Sequence, residues 1–330
     1  EALSDSSVNI ELRARYEGVD QDGIDKDATA ATLKSRITVK TGSYSNFSLG
    51  LEVDKVDALV DDYNSKTNGQ TQYPVVADPQ GTDVNQAYIK YANNGFSTVV
   101  GRQRILHNNQ RFVGGVGWRQ NEQTYDGYRF QVTPVNGFSA DYSYVYNINR
   151  IFGPDGSKAD LHGQFHLLNT AYKINKEHKI NAYAYLLDFD TVASFSTDTY
   201  GLSYNGNFGP VMINAAYATQ SDAGDNANDF SADYYNIEVG TKVSSVTLLA
   251  GIESLGSDNG VGFSTPLATL HKFQGFADKF LATPGQGIED IYVTAKTTVS
   301  DIKLSATYHD LSSDVDSIDS VQAVLKVGQA

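Results

Sequence analysis

The chain has 330 residues, a formal net charge of −14 and no cysteine, and only 40% of it is hydrophobic. The missing cysteines exclude a disulfide framework and thiol chemistry and are compatible with an oxidising envelope compartment. With a mean hydropathy of −0.35 and no apolar run near the roughly eighteen residues of a spanning helix, a helical membrane protein is excluded as well.

The elements read as strands from the first residues onward. Val8, Ile10, Leu12, Ala14 and Tyr16 alternate with Asn9, Glu11, Arg13, Arg15 and Glu17, and Leu33, Ile37 and Val39 alternate with Lys34, Arg36 and Lys40. A period of two is a strand. The pattern returns at Phe47, Leu49, Leu51 and Val53, and again from Phe138 through Ala140, Tyr142, Tyr144, Tyr146 and Ile148. It continues at Tyr235, Ile237 and Val239, at Ile291, Val293 and Ala295, and at Ile302, Leu304, Ala306 and Tyr308. Alternation restarts about sixteen times, in runs of about nine to twelve residues, the length a tilted strand needs to cross a bilayer core. Length alone suggests about two domains, but the unbroken rhythm argues for one, residues 1–330.

Short and long connections take turns. The short ones are Thr41–Asn46, Asn93–Gly95, Pro134–Gly137, Asn175–Glu177, Asn205–Pro210, Val243–Val246 and Ser300–Asp301; the long ones are Gly18–Ala30, Asp57–Thr82, Leu106–Gln120, Ile151–Leu161, Asp188–Ser194, Ser221–Asp229, Gly256–Gln286 and Asp310–Ser317. That pattern, with both termini on the short-turn side, predicts an all-β transmembrane antiparallel barrel of about sixteen strands, and about sixteen strands leave an aqueous lumen. A soluble sandwich, propeller or β-helix also alternates, but no repeat period supports the last two. No signal peptide precedes the first strand, so an outer-membrane reading expects a leader to have been removed.

If each apolar face meets lipid, the opposite face is luminal. It then carries Arg13, Arg15, Lys34, Arg36, Lys40, Lys90, Arg102, Arg104, Arg129, Lys173, Lys242, Lys296, Lys303 and Lys326 against fewer acids: Glu11, Glu17, Glu52, Asp54, Asp141, Glu238, Glu253 and Asp290. The acidic excess falls in loops, as at Asp20, Asp22, Asp25 and Asp27. A cationic conduit concentrates anions, unless the cations are satisfied by the inward carboxylates. Alternation stops in the third long loop, where Arg111 and Arg119 bracket Gly114, Gly115 and Gly117, and where Phe112, Val113 and Trp118 need an apolar surface. The loop is expected to fold inward and narrow the pore. Its glycines are no phosphate-binding fingerprint, because no βαβ unit surrounds them. In the seventh loop, Thr265 and Pro266 read as a helix start, and Leu267, Leu270, Phe273, Ala277 and Phe280 follow helical spacing through Leu281. A short amphipathic helix is expected there, with His271, Lys272, Asp278 and Lys279 on its polar face.

The motifs Gly101-Arg102-Gln103, Gly117-Trp118-Arg119-Gln120-Asn121-Glu122-Gln123-Thr124-Tyr125-Asp126 and Thr265 through Phe280 resemble gammaproteobacterial outer-membrane porins, related to alginate-export-like barrels. The resemblance implies passive diffusion through a barrel with inward loops and an arginine-lined constriction. Such barrels usually end in an aromatic residue, whereas this chain ends Lys326-Val327-Gly328-Gln329-Ala330.

The expected function is a porin of the bacterial outer membrane that passes small polar, anionic solutes, without cofactor, metal or nucleic-acid partner. Its surroundings would be outer-membrane lipid and lipopolysaccharide, and a homotrimer is one arrangement open to it. Arg102, Arg104, Arg111, Arg119 and Arg129 are the expected cationic side of the constriction, with Lys272 and Lys279 as secondary contributors and Asp126 and Asp278 opposing or orienting them. Asp126 shares its parity with Phe130, so a bulge or bend must intervene if it is to face inward. A structural or adhesive barrel would instead be plugged. An outer-membrane hydrolase would need a nucleophile and base in reach, and a pair such as His166 with Ser143 lacks any surrounding motif. The acidic first loop lacks the twelfth-position glutamate of an EF-type calcium site, having Ala31 there.

Overall fold

The computed structural model describes residues 5–313 and 319–329. Its strands are β1 (Ser7–Val19), β2 (Ala28–Lys40), β3 (Phe47–Asp62), β4 (Gly81–Asn93), β5 (Phe96–Gln103), β6 (Thr124–Val132), β7 (Phe138–Asn149), β8 (Asp160–Lys173), β9 (His178–Phe189), β10 (Thr197–Phe208), β11 (Val211–Asp222), β12 (Ser231–Val243), β13 (Val246–Leu255), the short β14 (Ser257–Asp258) and β15 (Val261–Gly262), and then β16 (Ile288–Val299), β17 (Ile302–Ser312) and β18 (Asp319–Gln329). Apart from the β14–β15 ribbon, sixteen strands form one sheet in chain order. The pairings from β1 to β6 and from β9 through β13 to β16, β17 and β18 are antiparallel, as short hairpin turns require. Described helix is limited to two three-residue 3-10 turns, Ala193–Phe195 and Leu270–Lys272, and no helix is long and apolar enough to cross a membrane.

Contacts divide the chain into two compact units, Glu1–Val132 with Ser143–Gln164, and Thr133–Tyr142 with Phe165–Ala330. In the first unit the alternation read from sequence is met along most of β1–β3, while Lys40 is exposed and, on β7, Ile148 is buried. Val8 and Leu12 are 67% and 68% exposed, while Lys34 and Glu52 are 2% and 4% exposed. Apolar side chains face out and charged ones face in, the inverse of a water-soluble strand. Register shifts at Ala31/Thr32 and Glu52/Val53 mark bulges, and the second brings Asn85 and Gln86 together on the buried side.

In the second unit this division of faces is only partly met. On β8 and β9 the buried side carries Phe165, Leu167, Tyr183, Tyr185, Leu187 and Phe189. Phe165 and Phe189 pack with ring centroids 4.7 Å apart, so here the inward side is itself an aromatic core. The expected helix over Thr265–Leu281 is also corrected, to the single turn Leu270–Lys272. Gln274, Gly275 and Asp278 adopt φ of 50°, 77° and 55°, left-handed conformations that a right-handed helix cannot contain. The polar side chains bond elsewhere instead: His271 pairs with Asp278 at 2.6 Å, and Gln274 donates to Glu253. Of the expected last long loop, Asp310–Ser317, residues 314–317 lie outside the described residues, as does the terminal Ala330.

Candidate functional site

Residues 104–123 leave the sheet after β5 and lie against the charged side of β1–β3. Arg13 anchors the far end of this loop: its Nε donates to Gln120 Oε1 at 3.0 Å, its Nη1 to the Gly117 carbonyl at 2.9 Å, and its Nη2 to the Arg119 carbonyl. Arg15 donates to the Trp118 carbonyl at 2.8 Å and pairs with Glu17 and, at 3.1 Å, with Asp78. Arg119 answers from the loop side, 2.9 Å from Glu17 and 3.7 Å from Asp78. Gln120 completes the seam: its amide N–H donates to Asp78 at 2.8 Å and its side chain to Thr32 at 2.8 Å. Asp78 comes from the second long loop, held there by Tyr63, which donates to the Asp78 carbonyl at 2.8 Å. Tyr63 packs with Ala28, Ala30 and Val76 in a small core, and that burial, with the nearby Asp78 and Asp61, pushes its hydroxyl up to about 12.

The near end of the loop is fastened through Glu122. Arg104 donates to Glu122 at 2.5 and 2.6 Å and also to Glu52. Arg36 grips Asp54 at 2.7 and 2.6 Å and reaches Glu122. Asn85 bridges Glu52 at 2.7 Å and Glu122 at 2.9 Å. Burial would raise the Glu122 carboxyl, but the Arg104 hydrogen bonds and the Arg104 and Arg36 charges bring it down to about 2. Arg104 is held above its ordinary value: burial opposes this, and the Glu122 and Glu52 bonds and charges overcome it. Glu52, Asp54 and Glu122 have a spacing that could hold a metal ion, but the guanidinium groups of Arg36 and Arg104 already supply their counter-charge. The four acids of the first loop, Asp20, Asp22, Asp25 and Asp27, form no such grouping among the described residues.

The expected constriction residues separate into groups. Arg104 and Arg119 are in the network just described, and Arg129 joins it by donating to the Arg104 carbonyl at 3.2 Å. Arg111 is buried within the loop, its amide donating to Asn109 at 3.1 Å. Arg102 and Asp126 pair with each other rather than with residues 104–123. They are cross-strand partners, 2.8 Å apart, and although Asp126 shares its parity with the exposed Tyr128, its carboxylate accepts from the buried Asn147 and Asn149. Their other partners are Asp83, the Val84 carbonyl, Asn147 and Asn149. Lys272, Asp278 and Lys279 lie in the other unit; Lys272 and Lys279 are exposed and Asp278 is held by His271. His166 engages the Tyr142 hydroxyl at 2.8 Å, and Ser143 is buried. Sequence reasoning missed Asp78 and Glu122 as counter-charges. Glu122 sits inside the motif that carried the family resemblance, so a signal was there; Asp78 offered none, being one acid in an acidic loop.

Sixteen antiparallel strands with exposed apolar faces, and a loop laid against the charged side of β1–β3, define the class: an outer-membrane β-barrel of porin fold. Residues 5–243 match the alginate-export family, and the chain belongs to it. Comparison with curated proteins gives no match. The fold is similar to Pseudomonas aeruginosa OpdK, crystallised with vanillate, at a TM-score of 0.76 and 12% identity, covering 100% of this chain and 89% of that one. It is similar also to a BenF-like porin of Pseudomonas fluorescens Pf-5 (TM-score 0.66, 13% identity, 100% and 96% covered) and to Acinetobacter baumannii OccAB3 (0.65, 12%, 98% and 98%). Of the proteins with this fold, OpdK is described as an outer membrane protein and the Pf-5 protein as a porin.

Proposed function

We propose that residues 1–330 form one outer-membrane barrel domain that conducts small polar solutes by passive diffusion, with a preference for anions set where residues 104–123 narrow the lumen. The carrying observation is the docking of that loop on the charged face of β1–β3 through Arg13, Arg15, Arg36, Arg104 and Arg119. Their charges are largely met by Glu17, Glu52, Asp54, Asp78 and Glu122. Compensated arginines make a rigid ledge more than a net field. Arg13 is different: it directs its donors to neutral oxygens and forms no ion pair among the described residues. A cation that keeps its charge while its position is fixed attracts anions in a narrow, weakly screened space.

The exposed apolar band, including Ile10, Leu12, Leu49, Ile89 and Ile291, would face outer-membrane lipid and lipopolysaccharide, and could equally support a homotrimer. A plugged structural or adhesive barrel is the competing reading, favoured by the two long loops that pack inward. The reversal potential under a salt gradient decides between an anion path and an unselective one. Anion preference in the parent that falls in Arg13→Gln and Arg119→Ala supports the proposal; identical ion selectivity in all three proteins removes the constriction assignment.

A further inference from the structure

The cross-strand registers of β12, β13, β16, β17 and β18 place five residues in one row: Lys242 opposite Thr247, Thr247 opposite Lys296, Lys296 opposite Ser305, and Ser305 opposite Lys326. Lysines and hydroxyls therefore alternate along one tier. The row lies on the pleat side of the buried Asp290, Thr294 and His309, opposite the exposed Ile291, Val293, Tyr308 and Leu325. Towards the short turns the next tier adds Lys303, between Thr298 and Gly328. Away from them the adjacent tier is Gly240, Leu249, Thr294, Thr307 and Val324, which carries no charge. The acids of this face, Glu238, Glu253 and Asp290, lie further off and are engaged: Glu238 by Asn214 and Tyr292, Glu253 by Tyr234 and Gln274, Asp290 by His309.

Like charges aligned on one tier repel unless something anionic comes between them. Among the described residues Lys242, Lys296 and Lys326 have no ion-pair partner, and the hydroxyls of Thr247 and Ser305 make no hydrogen bond. Lys326 rests over the Phe276 ring, 3.2 Å from its centroid, which fixes its ammonium without neutralising it. Lys272, on the seventh loop, is near enough to join them: partial desolvation and the neighbouring Lys296 lower its pKa, Glu238 opposing. Alternate strands are about 10 Å apart, so two ammonium groups on flexible stems can converge on one ligand lying over the hydroxyl between them.

We infer that Lys296, Ser305 and Lys326, flanked by Lys242 and Lys272, form a binding station for a dianionic oxyanion, a phosphate-bearing or dicarboxylate solute, on the short-turn half of the inner face. It rests on the channel reading above but involves none of the loop-docking arginines. A dianion placed between two lysines gains attraction from both, whereas chloride satisfies only one.

The test is block of chloride current through the reconstituted channel by inorganic phosphate at about pH 8, where phosphate is dianionic, with succinate as the carboxylate arm. Saturable block by phosphate or succinate is expected, with the more effective one identifying the solute group. The half-blocking concentration should rise about tenfold in Lys296→Gln with Lys326→Gln, and Lys296→Arg with Lys326→Arg should retain the block. Single Lys296→Gln and Lys326→Gln channels should each show part of the effect, which keeps the test usable if the double variant does not insert. Conducting channels that phosphate and succinate do not block, or block equally in the Gln variants, overturn the station while leaving the channel reading intact. An absence of all conductance in the parent overturns both.

Discussion

Trp118 carries the guanidinium groups of both Arg15 and Arg119 over its ring, their Cζ atoms 4.7 and 4.0 Å from the centroid. One arginine comes from the first strand and the other from the loop, so the indole reports directly on whether the loop is seated. It is the chain's one tryptophan. Arg119→Ala removes the loop-side cation with its contacts to Glu17 and Asp78, and the expected result is a red shift of tryptophan emission with greater quencher access. Unchanged emission would mean that the loop is held without Arg119.

Glu122 ties the other end of the loop and titrates as a stability sensor. Its pKa is lowered from 4.5 to about 2, so it binds its proton less readily in the folded protein than in the unfolded chain. The stability it contributes is complete above the unfolded value and is lost as pH falls from about 4.5 towards 2. Protease cleavage within residues 104–123 should therefore increase over that window. Glu122→Gln should make cleavage higher at neutral pH and flatten its rise on acidification. A parallel rise in parent and variant would contradict the assignment.

Two glycines of the same region should respond in opposite ways. A Cβ on Gly127 would collide with the Tyr144 carbonyl and come within 2.8 Å of the Val145 Cα, backbone that cannot yield without separating the strands. Gly127→Ala should cost about 1–3 kcal/mol, seen as a lower temperature of heat-modified migration in detergent gels. Gly117 has nothing within 4 Å of such a carbon, and Gly117→Ala should leave the transition within error. Equal effects at the two positions would show that the tight approach at Gly127 is absent.

The strands were legible because alternation is local: Val8 through Tyr16 declare their faces without reference to any other part of the chain. The docking loop was half legible. Arg119 and Trp118 announced that something must receive them, but the receiving groups, Asp78 and Glu17, are separated from them by distances in sequence that no pattern spans. The seventh loop misled because Leu267, Leu270, Phe273, Ala277 and Phe280 satisfy helical spacing, while Gln274 and Asp278 take left-handed backbone that composition does not reveal. The aromatic side of β8 and β9 escaped for a related reason. Alternation tells which residues share a face, and only packing tells that Phe165 and Tyr183 lie on the buried one.

The pairing of Arg102 with Asp126 gives a further discrimination. Because Arg102 bonds to Asp126, Asp83 and the Val84 carbonyl rather than to the loop, Arg102→Ala should destabilise the β5–β6 edge, lowering the heat-modification temperature, while shifting ion selectivity less than Arg119→Ala does. A larger selectivity change from Arg102→Ala would return that residue to the solute path.

Conduction requires that water fill the space inside the strands. Single-channel recording of the purified protein in a planar lipid bilayer tests this directly. Stepwise insertion of uniform, ohmic conductances that persist in symmetric potassium chloride is the predicted result; a correctly folded, bilayer-inserted protein that passes no current would contradict it.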